Sequence, residues 1–180
     1  MNRTIINPII KDEVTFIQTS SETNGEFSEL EVKLMPKGGT PMHYHRNFDE
    51  QFIVHQGELT LCLRNQKIKL KAGEQFVVKK GKVHRFINES DHPVHFTTII
   101  KPGHEGFENA LSILYGLASD GKTNQKGIPL SLVELAVVSK MSDMNQAGIL
   151  SLLSPLMTLL NKAAQWKEID QQLIEKYCIF

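Results

Sequence analysis

The sequence predicts a mainly β protein, an antiparallel sandwich or barrel with a helical extension behind it. Three observations predict it. Short strand-like runs recur at close intervals between turn residues, which is how sandwiches and barrels are built. Several of those runs alternate with period two: Leu30, Val32 and Leu34 oppose Glu29, Glu31 and Lys33, the pattern of a strand with one buried face. From Lys101-Pro102-Gly103 onward the apolar spacing becomes helical. The boundaries expected from this are a barrel over residues 1–102 and an extension over 103–180, packed on the barrel or on a second subunit.

In chain order, Val14 to Ile17 is rich in strand formers and Ser20 to Gly25 is turn chemistry. Phe27 to Met35 is the alternating strand, and Pro36 to Pro41 is a loop delivering the chain to Met42 and His43-Tyr44-His45. Gln51 to His55 follows, then a turn at Gln56-Gly57. Leu59, Leu61 and Leu63 next oppose Thr60, Cys62 and Arg64, and Asn65-Gln66 turns into Ile68 and Leu70. Phe76 to Val78 and Val83 to Asn88 flank a turn at Lys79 to Lys82, and Val94 to Ile100 is the last strand. The first helix runs over His104 to Leu117, with Phe107, Leu111, Leu114 and Tyr115 on one face and Gly116 and Ser119-Asp120-Gly121 as the stop. Pro129 suits the first turn of a second helix carrying Leu132 to Val138. Ile149 to Ala164 is a third, and Ile169 to Tyr177 a short fourth. The apolar core of the third, Ile149 to Leu160, holds Ser151, Ser154 and Thr158 and falls short of the roughly 20 residues a bilayer requires. Burial against the barrel or against a second subunit is the expectation.

The chemistry concentrates at His43 and His45. In an extended strand a spacing of two puts both imidazoles on one face and turns Tyr44 away. Glu50 follows a short polar connection and opens the next strand, and His84 lies in a later run beginning at Gly73. Three imidazoles and a carboxylate are a ligand set for a divalent transition metal such as Fe, Mn, Ni, Zn or Cu. They leave open positions on an octahedral ion for water, a small organic chelate or dioxygen. Counting from Glu50, the inward residues are Phe52 and Val54, so His55 faces outward and is not expected to ligate. His92, His95 and His104 read as structural or exposed. Met42, Phe52, Phe76 and Phe86 are the candidates to line a substrate pocket, Phe86 sharing the parity of His84. Asn88 shares it too, and either orients a ligand or stabilises a turn. Cys62 reads as a small buried hydrophobe.

At these residues the chain resembles the cupin family. His43, His45, Glu50 and Gly57 fit the spacing of that family's first motif, although Lys37 stands at the place of its opening glycine and Gly38 and Gly39 follow late. Gly73, Gly81, His84 and Asn88 fit the second motif, with Lys79 in place of its proline. The resemblance implies a jelly-roll β-barrel of two antiparallel sheets, a metal held by His43, His45, Glu50 and His84, and pairing into a homodimer. It also implies a range of activities. A dioxygenase-like oxidoreductase acting on an enol, phenol or diketone is the first expectation, with Glu50 as the candidate catalytic residue. A metal-dependent isomerase or decarboxylase and a non-catalytic small-molecule sensor are the alternatives, because fold alone does not settle function.

Composition narrows the rest. A chain of 180 residues with 41% hydrophobic content buries one good core and an appendage. Lys+Arg and Asp+Glu balance at 20 each, so there is no broad basic field to attract nucleic acid or an anionic membrane. Cys62 and Cys178 form no paired motif, and Met1 to Ile10 lacks the apolar core of a secretory signal. Reduced thiols in a cytoplasmic protein are the expectation.

Overall fold

The computed structural model describes residues 3–146 and 154–178. Two antiparallel sheets face each other. The larger is built from β1 (Thr4–Asn7), β2 (Asp12–Gln18), β3 (Ser28–Leu34), β10 (Val94–Lys101), β5 (Asp49–Gln56) and β8 (Gln75–Val78), in that spatial order. The smaller holds β11 (Asn145–Gln146), β4 (His43–Tyr44), β9 (His84–Ile87), β6 (Glu58–Leu63) and β7 (Gln66–Lys71). The fold is therefore mainly β and jelly-roll-like. Its core lies between the sheets, where the inward positions of each alternating strand meet: Phe16, Leu30, Phe52, Val54, Leu61 and Phe96 are all buried. Burying each such side chain is worth roughly 1.5–3 kcal/mol.

The alternation decides which way each side chain points. On β5, Glu50, Phe52 and Val54 are buried while His55 is exposed, its Nε2 2.7 Å from Thr97 Oγ1. On β2 the buried set is Asp12, Val14 and Phe16. The turn at Lys79 lacks proline and is held instead by Asp49, which accepts hydrogen bonds from Lys79 Nζ at 2.8 Å and the Lys80 amide at 2.9 Å. Lys37, at the glycine place of the first motif, has φ 65°, the left-handed conformation glycine adopts without cost.

Four helices follow: α1 (Glu105–Ser119), α2 (Leu132–Met141), α3 (Ser154–Trp166) and α4 (Ile169–Tyr177). α1 has two working faces. Phe107 and Tyr115 join the barrel core, whereas Ala110, Ile113 and Leu117 join a second core with Val137, Val138, Ala164 and Leu173 of the other helices. The extension thus packs on its own barrel through α1. Gly116 is no helix stop: it lies inside α1, where an added Cβ would stand 2.1 Å from the Tyr177 ring, so glycine is there to admit α4. Pro129 does not open α2 either. Ser131 caps that helix, its Oγ accepting the Glu134 amide at 3.3 Å, and Pro129 bridges to Thr123. A hydroxyl that satisfies an otherwise unpaired amide outcompetes proline's preset φ as a start signal. For the third helix, Ser154–Trp166 is described and the expected start at Ile149 lies outside the described residues. No helix among them is long and apolar enough to cross a membrane.

Candidate metal centre

The cluster sits between the sheets at one end of the barrel. His43 and His84 are register partners across β4 and β9 of the smaller sheet, while Glu50 reaches in from β5 of the larger one. His45 follows β4 directly. Their ligand atoms lie within 4.8 Å of one another and all four residues are buried. His84 Nε2 is 2.8 Å from Glu50 Oε2, and His45 Nε2 stands 3.5 Å from the same oxygen. The second distance is too long for a good hydrogen bond, and His45 Nε2 has no hydrogen-bond partner.

The outer nitrogens decide the tautomers. His43 Nδ1 is 2.8 Å from the Pro41 carbonyl, His84 Nδ1 2.9 Å from the Lys82 carbonyl, and His45 Nδ1 3.3 Å from the Asp143 carbonyl. A carbonyl has no proton to give, so each Nδ1 donates, and each Nε2 turns inward as the remaining ring nitrogen. Burial pushes the His43 pKa down to about 3, aided by repulsion from charge on His84 and His45, so this ring is neutral at neutral pH. Burial pushes Glu50 up, but the hydrogen bond from His84 and the charge of the neighbouring imidazoles prevail and hold it well below the usual carboxylate range. Burial pushes His84 down, and its hydrogen bond to Glu50 and that carboxylate's charge reverse this and raise it. Without a cation, His84 must carry a second proton to bridge to Glu50. A divalent ion would take the place of that proton and give the orphaned His45 nitrogen a partner, so the donor set fits a metal. Phe48, stacked on His45 with ring centroids 4.3 Å apart, and Phe107, edge-on at 6.0 Å, wall one side against water.

His43 and Glu50 also open into a cavity of about 60 Å3. Of the four apolar residues expected to shape a pocket, Phe86 lines it and Met42, Phe52 and Phe76 are not among its lining residues. The reason is position: the cavity lies beneath α1 on the β2 and β3 side. Phe52 and Phe76 are paired across β5 and β8 at the opposite edge of that sheet, and Phe52 packs against Phe86 and Phe96 in the core. Met42 is half-buried beside the first ligand. Asn88 stabilises turns. Its amide donates to the Leu34 and His92 carbonyls and its oxygen accepts from Ser90.

Two residues that sequence reasoning did not single out belong to the site. Asp143, in the left-handed region at φ 53°, accepts the Arg46 and Asn47 amides at 2.6 and 2.8 Å and offers its carbonyl to His45. It stands 98 residues from that histidine, and no local pattern announces it. Asp12 lines the cavity and accepts a 2.5 Å hydrogen bond from the Tyr115 hydroxyl. Its other oxygen has no partner, and burial pushes its pKa up to about 7. The alternation through Phe16 and Val14, carried back two residues, would have turned Asp12 inward.

Comparison with known proteins agrees with this architecture. Residues 30–100 match the family described as "Cupin domain". A protein of Aquifex aeolicus, described as uncharacterized, is 38% identical over 64 residues, 36% of this chain and 52% of that one. The chain therefore matches about half the length of that curated relative. A structure described as a predicted oxalate decarboxylase from Thermotoga maritima superposes with a TM-score of 0.50 at 18% identity, covering 54% of this chain and 93% of that one. The polyketide cyclase RemF from Streptomyces resistomycificus gives 0.49 at 17%, covering 56% and 73%. At such identities the likeness is one of fold.

Proposed function

Because the barrel at residues 30–100 is a cupin domain, we propose that this chain holds a divalent transition metal at His43, His45, Glu50 and His84 and uses it on a small organic molecule in the adjoining cavity. The observation that carries the proposal is the convergence of three Nε2 atoms and one carboxylate, all buried, with every Nδ1 already engaged by a carbonyl. A purely structural metal site is closed on all sides, whereas a reactive one keeps a way in. His43 and Glu50 face a cavity, which supports the reactive kind.

The reaction we propose is that of a dioxygenase-like oxidoreductase acting on an enol, phenol or diketone. The ion, when bound, supplies redox or Lewis-acid chemistry to an oxygen-donor substrate. The chain's own part is to keep the site dry with Phe48 and Phe107, to orient the imidazoles through their backbone carbonyls, and to keep Glu50 ionised. The proposal extends to a homodimer in the cytoplasm with no nucleic-acid or membrane partner. The exposed Leu156, Leu159 and Trp166 of α3 and the two free thiols support the first two parts.

Elemental analysis of protein purified without chelator or nickel resin tests the metal, with about one equivalent per chain expected if every cluster is filled. Oxygen uptake by the iron-loaded protein with short diketones and enols tests the chemistry. Turnover under anaerobic conditions would replace the oxygenase reading with an isomerase or decarboxylase. Tight binding without turnover would leave a sensor.

A further inference from the structure

The cavity has two polar ends and an apolar middle. Phe107, whose ring lies 6.0 Å from that of His45, marks the metal end. Tyr115, bonded to Asp12, marks the other. Both are on α1, and eight residues of helix separate them by roughly 12 Å at ~1.5 Å per residue. The rest of the lining is mainly apolar, Val14, Leu30, Val32, Phe86 and Leu111 among it, with Thr40 and Thr98 as its polar side chains. A volume of about 60 Å3 over that length is narrow. It is far below the ~300–1,000 Å3 of pockets that take drug-sized ligands, so an unbranched chain fits and a fused ring system does not.

Polar groups buried here lack partners. Asp12 is 4% exposed and its Oδ1 has no hydrogen bond; Thr98, which pairs with Phe52 two residues from Glu50, is equally buried and its hydroxyl has none. Buried polar atoms are ordinarily satisfied. Tyr115 already donates to one Asp12 oxygen and fixes the carboxyl in place, and the other oxygen, buried and without a partner in a residue that lines the cavity, is left to accept a hydrogen bond. Neither Asp12 nor Tyr115 lies within the matched cupin segment.

We propose that this cavity takes a slender two-ended ligand, an oxygen-donor head such as a carboxylate or enolate at His43 and Glu50 and a terminal hydroxyl that donates to Asp12. Thr98 is the hydrogen-bonding group nearer the head. The inference rests on the metal reading above and adds to it the shape and chemistry of the substrate. It also gives Asp12 the role of selecting chain length, since the hydroxyl must reach it from a fixed head.

The test is calorimetric titration of the metal-loaded protein with matched probes: butyrate, hexanoate and octanoate, and the ω-hydroxy form of each. At about pH 8.5, where a carboxyl with a pKa of about 7 is ionised, one chain length is expected to show a preference for the hydroxylated probe of about tenfold, a modest effect for a hydrogen bond to a charged acceptor. In Asp12→Leu that preference disappears with metal content unchanged. Should the leucine variant not fold, Asp12→Asn keeps the size and loses the charge, and the preference falls by roughly half its free energy, to about threefold. Metal bound with no hydroxyl preference at any length, or a preference that survives both substitutions, overturns the subsite and leaves the metal reading standing. No metal bound overturns both.

Discussion

The barrel and the helical extension bury apolar surface in different ways. Between the sheets the core is made of large side chains, Phe16, Phe52 and Phe96 among them, because stacked sheets stand about 10 Å apart and need bulk to fill the gap. In the extension small residues sit among the larger ones: Ala110, Ala136 and Ala164 are fully buried and Gly116 lies against the Tyr177 ring, so the helices approach closely. The four clustered candidate ligands all belong to the barrel, within residues 43–84. What covers and holds His45 comes in part from the extension, through Phe107 and Asp143. The difference teaches that the barrel supplies all four side chains and orients His43 and His84 through its own carbonyls, while the extension orients His45.

The largest expected effect tests whether the barrel alone supplies the ligands. Glu50→Gln or His84→Ala should reduce metal affinity by more than about a hundredfold, beyond the 10–100-fold typical of a supporting residue. The protein should remain folded, and equilibrium dialysis measures the loss. Retained affinity would place the ligands elsewhere.

The next concerns the seam where the regions meet. Asp12 has a folded pKa of about 7 against 3.8 for the ordinary group. The folded state therefore binds its proton more tightly than the unfolded chain does, which favours folding below pH ~4, and that advantage is lost as pH rises toward ~7. The shift corresponds to at most about 4 kcal/mol. Urea unfolding across that range should show wild-type stability declining relative to Asp12→Asn, which has no such proton. Parallel profiles would mean the carboxyl is not buried at the seam.

Asp143→Asn sharpens the division of labour. The variant keeps a residue that tolerates φ 53° and weakens the acceptor of two amides beside His45. Metal affinity should fall by about 10-fold with little change in melting temperature. An unchanged affinity would confine the centre to the barrel.

Gly116→Ala tests the opposite arrangement. Its Cβ collides with Tyr177, and an overpacking cost of ~1–3 kcal/mol outweighs the roughly 1 kcal/mol gained from alanine's helix propensity. The helices loosen while metal affinity holds. The smallest effect is in the barrel's own loop. Lys37→Gly relieves a left-handed lysine and should stabilise by up to about 1 kcal/mol, since relief of the strain exceeds glycine's extra unfolded entropy. Thermal melting reads both.

Much of this was legible along the chain, because a strand turns alternate residues to opposite faces whatever lies around it. That rule placed Glu50 inward and His55 outward and put His43 and His45 on one face, while the helical period put Phe107, Leu111 and Tyr115 on one side of α1. Where the rule names a face but not a neighbour, it misled: Phe52 is inward as expected, yet it faces Phe86 and Phe96 and not the cavity. The short β11 was invisible, since two residues carry no period and pair only because β4 is already there.

What the sequence by itself determined is the alternation and the helix faces, products of spacings of a few residues acting through backbone geometry, and it named the four candidate ligands through two separated motifs. Only the tertiary structure decided that Asp143 supports His45, that Tyr115 holds Asp12 from 103 residues away, and that the cavity lies under α1. Those contacts arise from how packed layers come to rest against one another, which no local period encodes.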